Sequence, residues 1–192
     1  MSAAIETSVR LRLGRADATD AEHYARLAEA AAGGGFGRLY GSRWLEALKA
    51  AYPARRERTI FLEVDGDVAG GIGFDSLQDR TAMAESATPS LRTRAVSTWR
   101  RLRGIHIEEV RDGELYLAFV AVYPAGRRRG GGTRLIEASV LEARKRGLQY
   151  LTAAVDRRNH TSLSFFQSAG FKTEDDDGPV LRVGRSIGGI RP

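Results

Sequence analysis

The chain has 192 residues, 42% of them hydrophobic, which is enough for one buried core and short for two independent domains. It has no cysteine, which excludes disulfides, thiolate catalysis and cysteine-ligated zinc, and its net charge of +6 fits either a solvated basic surface or attraction of a polyanion. No stretch approaches the ~18 apolar residues of a membrane helix, and the N-terminus lacks the pattern of a signal peptide. We therefore expect a single cytoplasmic domain over 1–192 that binds no membrane.

The first part of the chain predicts one strand, two helices and an antiparallel pair of strands. Apolar and basic residues alternate in the first segment, which is typical of a half-exposed strand. Thr19 and Glu22 have the spacing of a capping box and open the first helix. Asp65-Gly66 is a hairpin turn signal between the last two strands. The predicted segments are about 8–13, 19–31, 42–51, 59–64 and 68–74.

A long insertion at about 75–112 follows these elements. Within it Leu91, Ala95, Trp99 and Leu102 recur at helical spacing, and arginines fill most of the remaining positions. We expect an amphipathic helix inserted between two strands of the sheet. Its basic face is interpreted as solvated, because a nucleic-acid surface would carry interleaved exposed aromatic residues and only Trp99 is present.

The last part predicts a strand, a crossover helix and a second strand. The segment 114–122 is apolar on both faces, as expected of a strand covered on both sides. A helix over 133–146 ends before Gly147, and 150–155 is again strand-like, so the two strands should be parallel. The remaining elements are predicted over 162–169, 172–174 and 180–187. The fold class is α/β (α+β), with a mixed, largely antiparallel central sheet of about seven strands, flanking helices and one βαβ unit.

A basic, glycine-dense loop connects the 114–122 strand to the following helix. It reads Pro124-Ala125-Gly126-Arg127-Arg128-Arg129-Gly130-Gly131-Gly132-Thr133. Successive backbone N–H groups at a helix start bind anions, and glycines let the backbone approach phosphate oxygens. A P-loop needs lysine where Gly132 stands, and a dinucleotide fingerprint needs glycine where Leu135 stands. The loop therefore predicts a different phosphate site, the alternative being a tight turn without a ligand.

Two segments carry a resemblance to a known family. Val122-x-Pro124-x-x-Arg127-x-x-Gly130-x-Gly132 resembles motif A of the GNAT N-acetyltransferases, whose core is Arg/Gln-x-x-Gly-x-Gly/Ala. Asn159-x-x-Ser162-x-x-Phe165-Phe166-x-x-x-Gly170-Phe171 is similar to the family's later Asn-x-x-Ala/Ser-x-x-Leu-Tyr-x-x-x-Gly-Phe pattern. The likeness is clearest over 115–171. It implies an acyl-CoA N-acyltransferase fold with acetyl-CoA as co-substrate.

The resemblance also implies which residues contact the cofactor. In the family, backbone amides of the motif A loop hold the pyrophosphate of coenzyme A, and the pantetheine arm pairs with the preceding strand. A strand N–H, here that of Val120 by position, polarises the acyl carbonyl. The implied set is Phe119, Val120, Ala121, Val122, Arg127, Arg128, Arg129, Gly130, Gly131, Gly132, Thr133, Asn159, Ser162 and Phe166.

The proton transfers are less well defined by the sequence. An acceptor ammonium with a pKa of ~10.4 must first lose a proton. The candidate bases are Glu108, Glu109 and Glu114, which lie where the family often places one, with His106 and Asp156 as alternatives. Phe166 stands in place of the tyrosine that protonates the leaving thiolate in the family. Candidate substitutes are Tyr116, Tyr123, Ser162 and water, or the thiolate leaves unassisted.

The resemblance implies an N-acetyltransferase that moves an acetyl group from acetyl-CoA to a primary amine by direct attack in a ternary complex. The acceptor is a small-molecule or peptide amine whose identity the sequence does not carry. The alternative is a non-catalytic acyl-CoA-binding or nucleic-acid-binding module on the same fold. Scattered histidines predict no metal site. A homodimer is compatible with this fold, and no sequence feature establishes one.

Overall fold

The computed structural model describes residues 8–32, 42–86, 110–127, 129–175 and 178–188. Its strands are β1 Val9–Leu13, β2 Thr59–Val64, β3 Asp67–Ser76, β4 Glu114–Val122, β5 Tyr150–Asp156, β6 Lys172–Asp175 and β7 Val180–Ser186. Its helices are α1 Ala18–Ala31, α2 Ser42–Ala51, α3 Leu77–Ser86, α4 Pro124–Arg127, α5 Gly131–Lys145 and α6 His160–Ser168. The arginine-rich helix predicted around 91–103 lies outside the described residues. None of the helices in the described ranges is long and apolar enough to cross a membrane.

The strands form one seven-stranded sheet in the order β1-β2-β3-β4-β5-β7-β6. Antiparallel pairing joins β1 to β2, β2 to β3, β5 to β7 and β6 to β7. Strands β4 and β5 are parallel, with Glu114 opposite Tyr150 and Leu117 opposite Ala153, and α5 lies between them in the chain. The mixed, largely antiparallel sheet with one βαβ unit is therefore confirmed.

The chain divides into two compact units, and neither is continuous in sequence. The first unit comprises 1–74 and 118–138, and the second comprises 75–117 and 139–192. Strands β3 and β4 and helix α5 each pass from one unit into the other. The single domain over 1–192 stays a prediction.

The core of the first unit is aromatic. Tyr24 of α1, Tyr52, Phe61 of β2 and Phe119 of β4 are all buried. The Tyr24 and Phe119 rings meet edge to face, with centroids 5.5 Å apart, which is a favourable aromatic geometry. A Cβ at Gly73 would run into the Phe119 ring, so glycine at this position of β3 lets β4 place its ring in the core.

Helix α1 begins with a side-chain cap, at a different residue from the one the sequence predicted. Asp17 is the N-cap, and its Oδ1 accepts a hydrogen bond from the backbone N–H of Asp20 at 2.7 Å. The predicted Thr19–Glu22 capping box is wrong, because Thr19 lies inside the first turn and Glu22 pairs instead with Lys49 of α2 and with Arg26. The carboxylate that precedes the helix has taken the role of the cap.

An ion pair between the partly buried Arg12 and the buried Asp20 joins β1 to α1 in the first unit. Both terminal nitrogens of Arg12 donate to the Asp20 carboxylate at 2.6 Å, and the Arg12 Nε donates to Glu63. Asp20 also accepts from the backbone N–H of Arg15 at 2.7 Å and is only 2% exposed. Burial acts to raise the pKa of Asp20, but the hydrogen bonds from Arg12 and from the Arg15 amide outweigh it, so that pKa lies below its ordinary value.

Candidate functional site

The glycine-dense loop lies in the first unit, directly after β4. The backbone N–H of Tyr123 donates to the Ala69 carbonyl of β3 at 2.8 Å, which ties the start of the loop to the sheet. Those of Gly126 and Arg127 both donate to the Tyr123 carbonyl, and this closes the short helix α4. Helix α5 then starts at Gly131, with the Arg134 N–H donating to the Gly130 carbonyl at 3.0 Å.

Three glycines of this loop have two different roles. Gly126 and Gly131 are buried, and a Cβ at either would collide with Leu62 and Val122. Gly130 has φ +68°, a left-handed conformation that L side chains rarely adopt, and it is exposed with nothing near its missing Cβ. Gly126 and Gly131 thus seat the loop on the sheet, while Gly130 turns the chain into α5 and leaves open space beside it.

The start of α5 provides backbone donors and has no acidic side chain in its first turn. The first N–H groups of a helix have no partner within the helix, and they carry the positive end of its dipole. Gly130 has no side chain that could cap them, and the first turn of α5 contains no acidic residue. Thr133 in this turn is exposed. The arrangement suits an external anion that would accept from these amides.

Two of the loop arginines are held by partners in the first unit. The Nε of Arg127 donates to the Val122 carbonyl at the end of β4, at 2.7 Å. Arg129 forms an ion pair with Asp65 in the β2–β3 turn, with 3.3 Å between its Nη1 and the Asp65 Oδ2. Both arginines are exposed and remain accessible to a phosphate. Arg128 lies outside the described residues.

The two faces of β4 differ towards its carboxyl end. Phe119 and Ala121 point into the core of the first unit and are buried. On the opposite face Ala118 is exposed, and Val120 and Val122 are only half-buried. This end of the strand thus has one anchored face and one accessible face, and the cofactor contacts of 119–122 stay a prediction.

Tyr123, one of the candidate proton donors, follows β4 in the first unit. Its ring is half-buried and packs against the aromatic core. Burial raises the pKa of its phenol, and the charge of Arg26 opposes this only in part. The hydroxyl therefore stays protonated at neutral pH, which a general acid requires.

The second motif lies in the second unit and has clear structural roles there. Asn159 is the N-cap of α6, and its Oδ1 accepts from the Ser162 N–H at 3.1 Å. Phe166 is buried, with its ring centroid 5.4 Å from that of Phe165 and 5.0 Å from that of Phe171. The cap and the ring cluster account for much of the motif without a ligand, so cofactor contacts of these residues stay a prediction.

Among the candidate bases, the described part of the chain includes Glu114. This side chain is 1% exposed and forms an ion pair with Arg182 of β7, and its Oε2 also accepts from the Arg111 N–H at 3.1 Å. Arg182 in turn binds Glu174 at 3.1 Å. A carboxylate held in this way is suited to stabilising the second unit. Glu108, Glu109 and His106 lie outside the described residues.

Asp156, the alternative base at the end of β5, is also hydrogen-bonded. Its carboxylate accepts from the backbone N–H and the side chain of Arg158, with the shortest contact at 2.8 Å. The side-chain hydrogen bond from Arg158 lowers the pKa of Asp156, and this makes it a weaker base. Hydrogen bonding therefore disfavours Asp156 as the proton acceptor.

A separate groove of about 430 Å³ runs along α1. Sequence reasoning did not identify it, and its lining residues are Ala18, Thr19, Glu22, His23 and Arg26. None of them belongs to the predicted site. In the described ranges, no cluster of three or more His, Cys, Asp or Glu side chains could hold a metal ion.

Comparison with solved structures shows the fold. The ribosomal-protein-S18-alanine N-acetyltransferase from Escherichia coli is 17% identical, with coverage of 96% of this chain and 97% of that one and a TM-score of 0.57. An N-acetyltransferase from Staphylococcus aureus Mu50 is 19% identical over 92% and 100%, with a TM-score of 0.65. The PaiA N-acetyltransferase from Thermoplasma acidophilum, solved in complex with coenzyme A, is 15% identical over 93% and 99%, with a TM-score of 0.57.

Comparison of the sequence with protein families gives a direct assignment. None of the curated protein sequences matches the chain. The family model for the acetyltransferase (GNAT) family matches residues 35–171, a range that contains both β4 with its loop and α6 with its cap. Because this match spans more than half of the chain, the protein belongs to the GNAT acetyltransferase family.

Proposed function

We propose that this protein is an acetyl-CoA-dependent N-acetyltransferase that moves an acetyl group to a primary amine by direct attack in a ternary complex. The observation that supports it most is the start of α5, which has no acidic residue in its first turn and follows Gly130, beside whose missing Cβ nothing lies. The nearby Arg127 and Arg129 are exposed. Phosphate is the natural ligand of such an arrangement. Membership of the GNAT family identifies coenzyme A as the phosphate compound to test first.

The loop and β4 have distinct tasks in this proposal. The backbone N–H groups of 130–133 donate to the pyrophosphate oxygens, while Arg127, Arg129 and the adjacent Arg128 supply positive charge. The pantetheine arm pairs like a strand with the backbone of 119–122, and the Val120 N–H donates to the acyl oxygen as negative charge develops there. Asn159, Ser162 and Phe166 keep the cofactor contacts that the family pattern implies, as part of the proposal.

The reaction needs two proton transfers. Acetyl-CoA supplies an acyl group activated as a thioester. The neutral amine forms a bond to the acyl carbon, the carbon–sulfur bond breaks, and the thiolate takes up a proton. Glu114 is bound by Arg182, so we propose Glu108 or Glu109 as acceptor of the amine proton, directly or through water. Tyr123, whose phenol stays protonated, is the proposed donor to the thiolate.

The acceptor is proposed only as a class, a small-molecule or peptide amine. One structural neighbour acts on an alanine of ribosomal protein S18, at an identity that shows the fold alone. A first screen should therefore contain a peptide with an N-terminal alanine beside polyamines and aminoglycosides. Transfer is measured as release of the free CoA thiol.

The first experiment compares thermal stability with acetyl-CoA, CoA, ATP and NAD at equal concentration. A ligand present at ~100 times its dissociation constant adds ~2.7 kcal/mol of stability. We expect both CoA forms to raise the melting temperature and ATP and NAD to leave it unchanged. A folded sample that responds to neither CoA form would overturn the proposal.

A pair of glycine variants separates binding from stability. Gly130 and Gly147 have φ of +68° and +70°, both are exposed, and nothing lies near either missing Cβ. Each glycine-to-alanine change should cost ~1 kcal/mol of stability through the same left-handed strain. Only Gly130→Ala should weaken CoA binding, by about tenfold or more, since Gly147 ends α5 far along the chain from the loop.

Turnover decides between the enzyme and the binding module. Release of thiol that requires both acetyl-CoA and an amine, and that falls in Gly130→Ala but not in Gly147→Ala, supports transfer through this site. CoA binding without thiol release from any amine in the screen would favour the non-catalytic acyl-CoA-binding alternative.

A further inference from the structure

Asp65 is placed unusually for a residue of a hairpin turn. It adopts a left-handed conformation with φ +54°, followed by Gly66 with φ +93°, as the Asp-Gly signal predicts. Its Oδ1 accepts from the Ser8 N–H at 2.9 Å, and its own N–H donates to the Ser8 carbonyl at 2.8 Å. These two bonds fix the direction of the carboxylate and leave Oδ2 for another partner.

That partner is Arg129 of the glycine loop. The turn and the loop are neighbours, because Gly126 and Gly131 pack on Leu62 and the Ala69 carbonyl accepts from the Tyr123 N–H. The pair is open to solvent, with 39% of the Arg129 side chain and 52% of the Asp65 side chain exposed. An ion pair this exposed is weak, so a stronger anion can displace the carboxylate.

We propose that Asp65 competes with a cofactor phosphate for the Arg129 guanidinium beside the glycine loop and gives it up when CoA binds; this rests on the proposed function. The exchange has two consequences. Before CoA binds, the pair keeps Arg129 beside the loop. When CoA binds, the phosphate must first break this pair, which reduces the free energy gained on binding. Asp65 therefore weakens retention of CoA, which favours release of this product after transfer.

The test is a double-mutant cycle with a matched control. Asp65→Asn keeps the size of the side chain and its tolerance of the left-handed conformation, and it removes the charge that pairs with Arg129. Asp67→Asn removes the same charge two residues away, from an exposed side chain of the same hairpin for which no ion pair is recorded in the described ranges. Both changes are made in the wild type and in Arg129→Gln.

The readout is the dissociation constant for CoA by calorimetry at low and high salt, about 0.05 M and about 0.5 M. Asp65→Asn should bind CoA about twofold to fivefold more tightly than Asp67→Asn at low salt, which is the size of one exposed ion pair. The difference should vanish in the Arg129→Gln background and shrink at high salt. A merely structural role of Asp65 would instead weaken binding. Asp65→Gly, which suits the left-handed turn, replaces Asp65→Asn if the latter melts early.

The other outcomes contradict the inference in distinguishable ways. Equal affinity of the two variants, or tighter binding that persists without Arg129, would show that no exchange of this pair takes place. Weaker binding in both Asp65→Asn and Asp65→Gly would show that the carboxylate aids binding. Failure of the wild type to bind CoA would overturn the proposed function itself, and the inference with it.

Discussion

Two helices that start in the first unit, α1 and α5, differ in whether the protein itself supplies an anion to the positive end of the helix dipole. Helix α1 supplies its own anions, because Asp17 caps it and Asp20 lies buried in its first turn. Helix α5 supplies none, because it follows Gly130 and has no acid in its first turn. Both starts lie near arginines, yet Arg12 is fixed by Asp20 whereas Arg129 is held only by an exposed pair.

The difference shows that burial determines whether an arginine pairs within the fold or can bind a ligand. At α1 the charges are neutralised within the protein, and removing one partner of such a buried pair destabilises the fold. At α5 the first turn has no acidic residue and the loop arginines are exposed, so a phosphate can bind there. A high arginine content in the sequence therefore predicts neither outcome by itself.

The largest expected effect is at the buried start of α1. Asp20→Asn removes the buried one of the two carboxylates that pair with Arg12 and leaves Glu63 in place, and breaking a buried ion pair costs up to ~3–5 kcal/mol. We expect the free energy of unfolding in urea to fall by about this amount, while CoA affinity of the folded protein is unchanged. Asp67→Asn, which removes an exposed carboxylate in the same unit, is the control and should change stability little.

A smaller effect compares two side-chain caps. Asp17→Ala and Asn159→Ala each remove an N-cap hydrogen bond and should each cost ~1 kcal/mol of unfolding free energy. If Asn159 also contacts the cofactor as proposed, only Asn159→Ala weakens CoA binding. Equal CoA affinity in the two variants would show that Asn159 acts only as the N-cap of α6.

The smallest effect is the pH dependence of the Asp20 contribution. Its pKa is lower in the folded than in the unfolded chain, so this stabilisation is complete above the unfolded pKa of ~3.9 and is lost as pH falls through the folded value. The difference in unfolding free energy between wild type and Asp20→Asn should be constant from neutral pH to about pH 5 and shrink below about pH 4. A difference that stays constant at acid pH would mean that the Asp20 charge does not contribute.

Local patterns in the sequence predicted much of the fold. Strands β2 and β4 and helix α2 have the predicted bounds, because apolar runs and the Asp-Gly turn are local signals. Helix α3 was missed, since its first residue, Leu77, is exposed and its apolar pattern is weak. The signal that could have found it is Ser76-x-x-Asp79, where the Ser76 Oγ and the Asp79 carboxylate cap each other's N–H groups.

The sequence predicted only those parts of the candidate site whose residues lie close together in the chain. The loop and its glycines are visible as a motif, but the contact of Gly131 with Leu62 and the pair of Asp65 with Arg129 join residues far apart in the chain. Glu114 shows the same limit. The sequence marks a carboxylate at a strand start, and only the fold brings Arg182, 68 residues later, onto it.

The central claim is that the open start of α5 binds the phosphates of coenzyme A. The most direct test gives α5 the acid that α1 already has, by Thr133→Glu in its exposed first turn, with Thr133→Gln as the uncharged control. A carboxylate there should leave the unfolding free energy unchanged or raise it by ~0.3–1 kcal/mol. By repelling phosphate it should weaken CoA binding about tenfold or more relative to Thr133→Gln. Equal CoA affinity of the two variants in calorimetry would contradict the account, because the start of α5 would then not be the phosphate site.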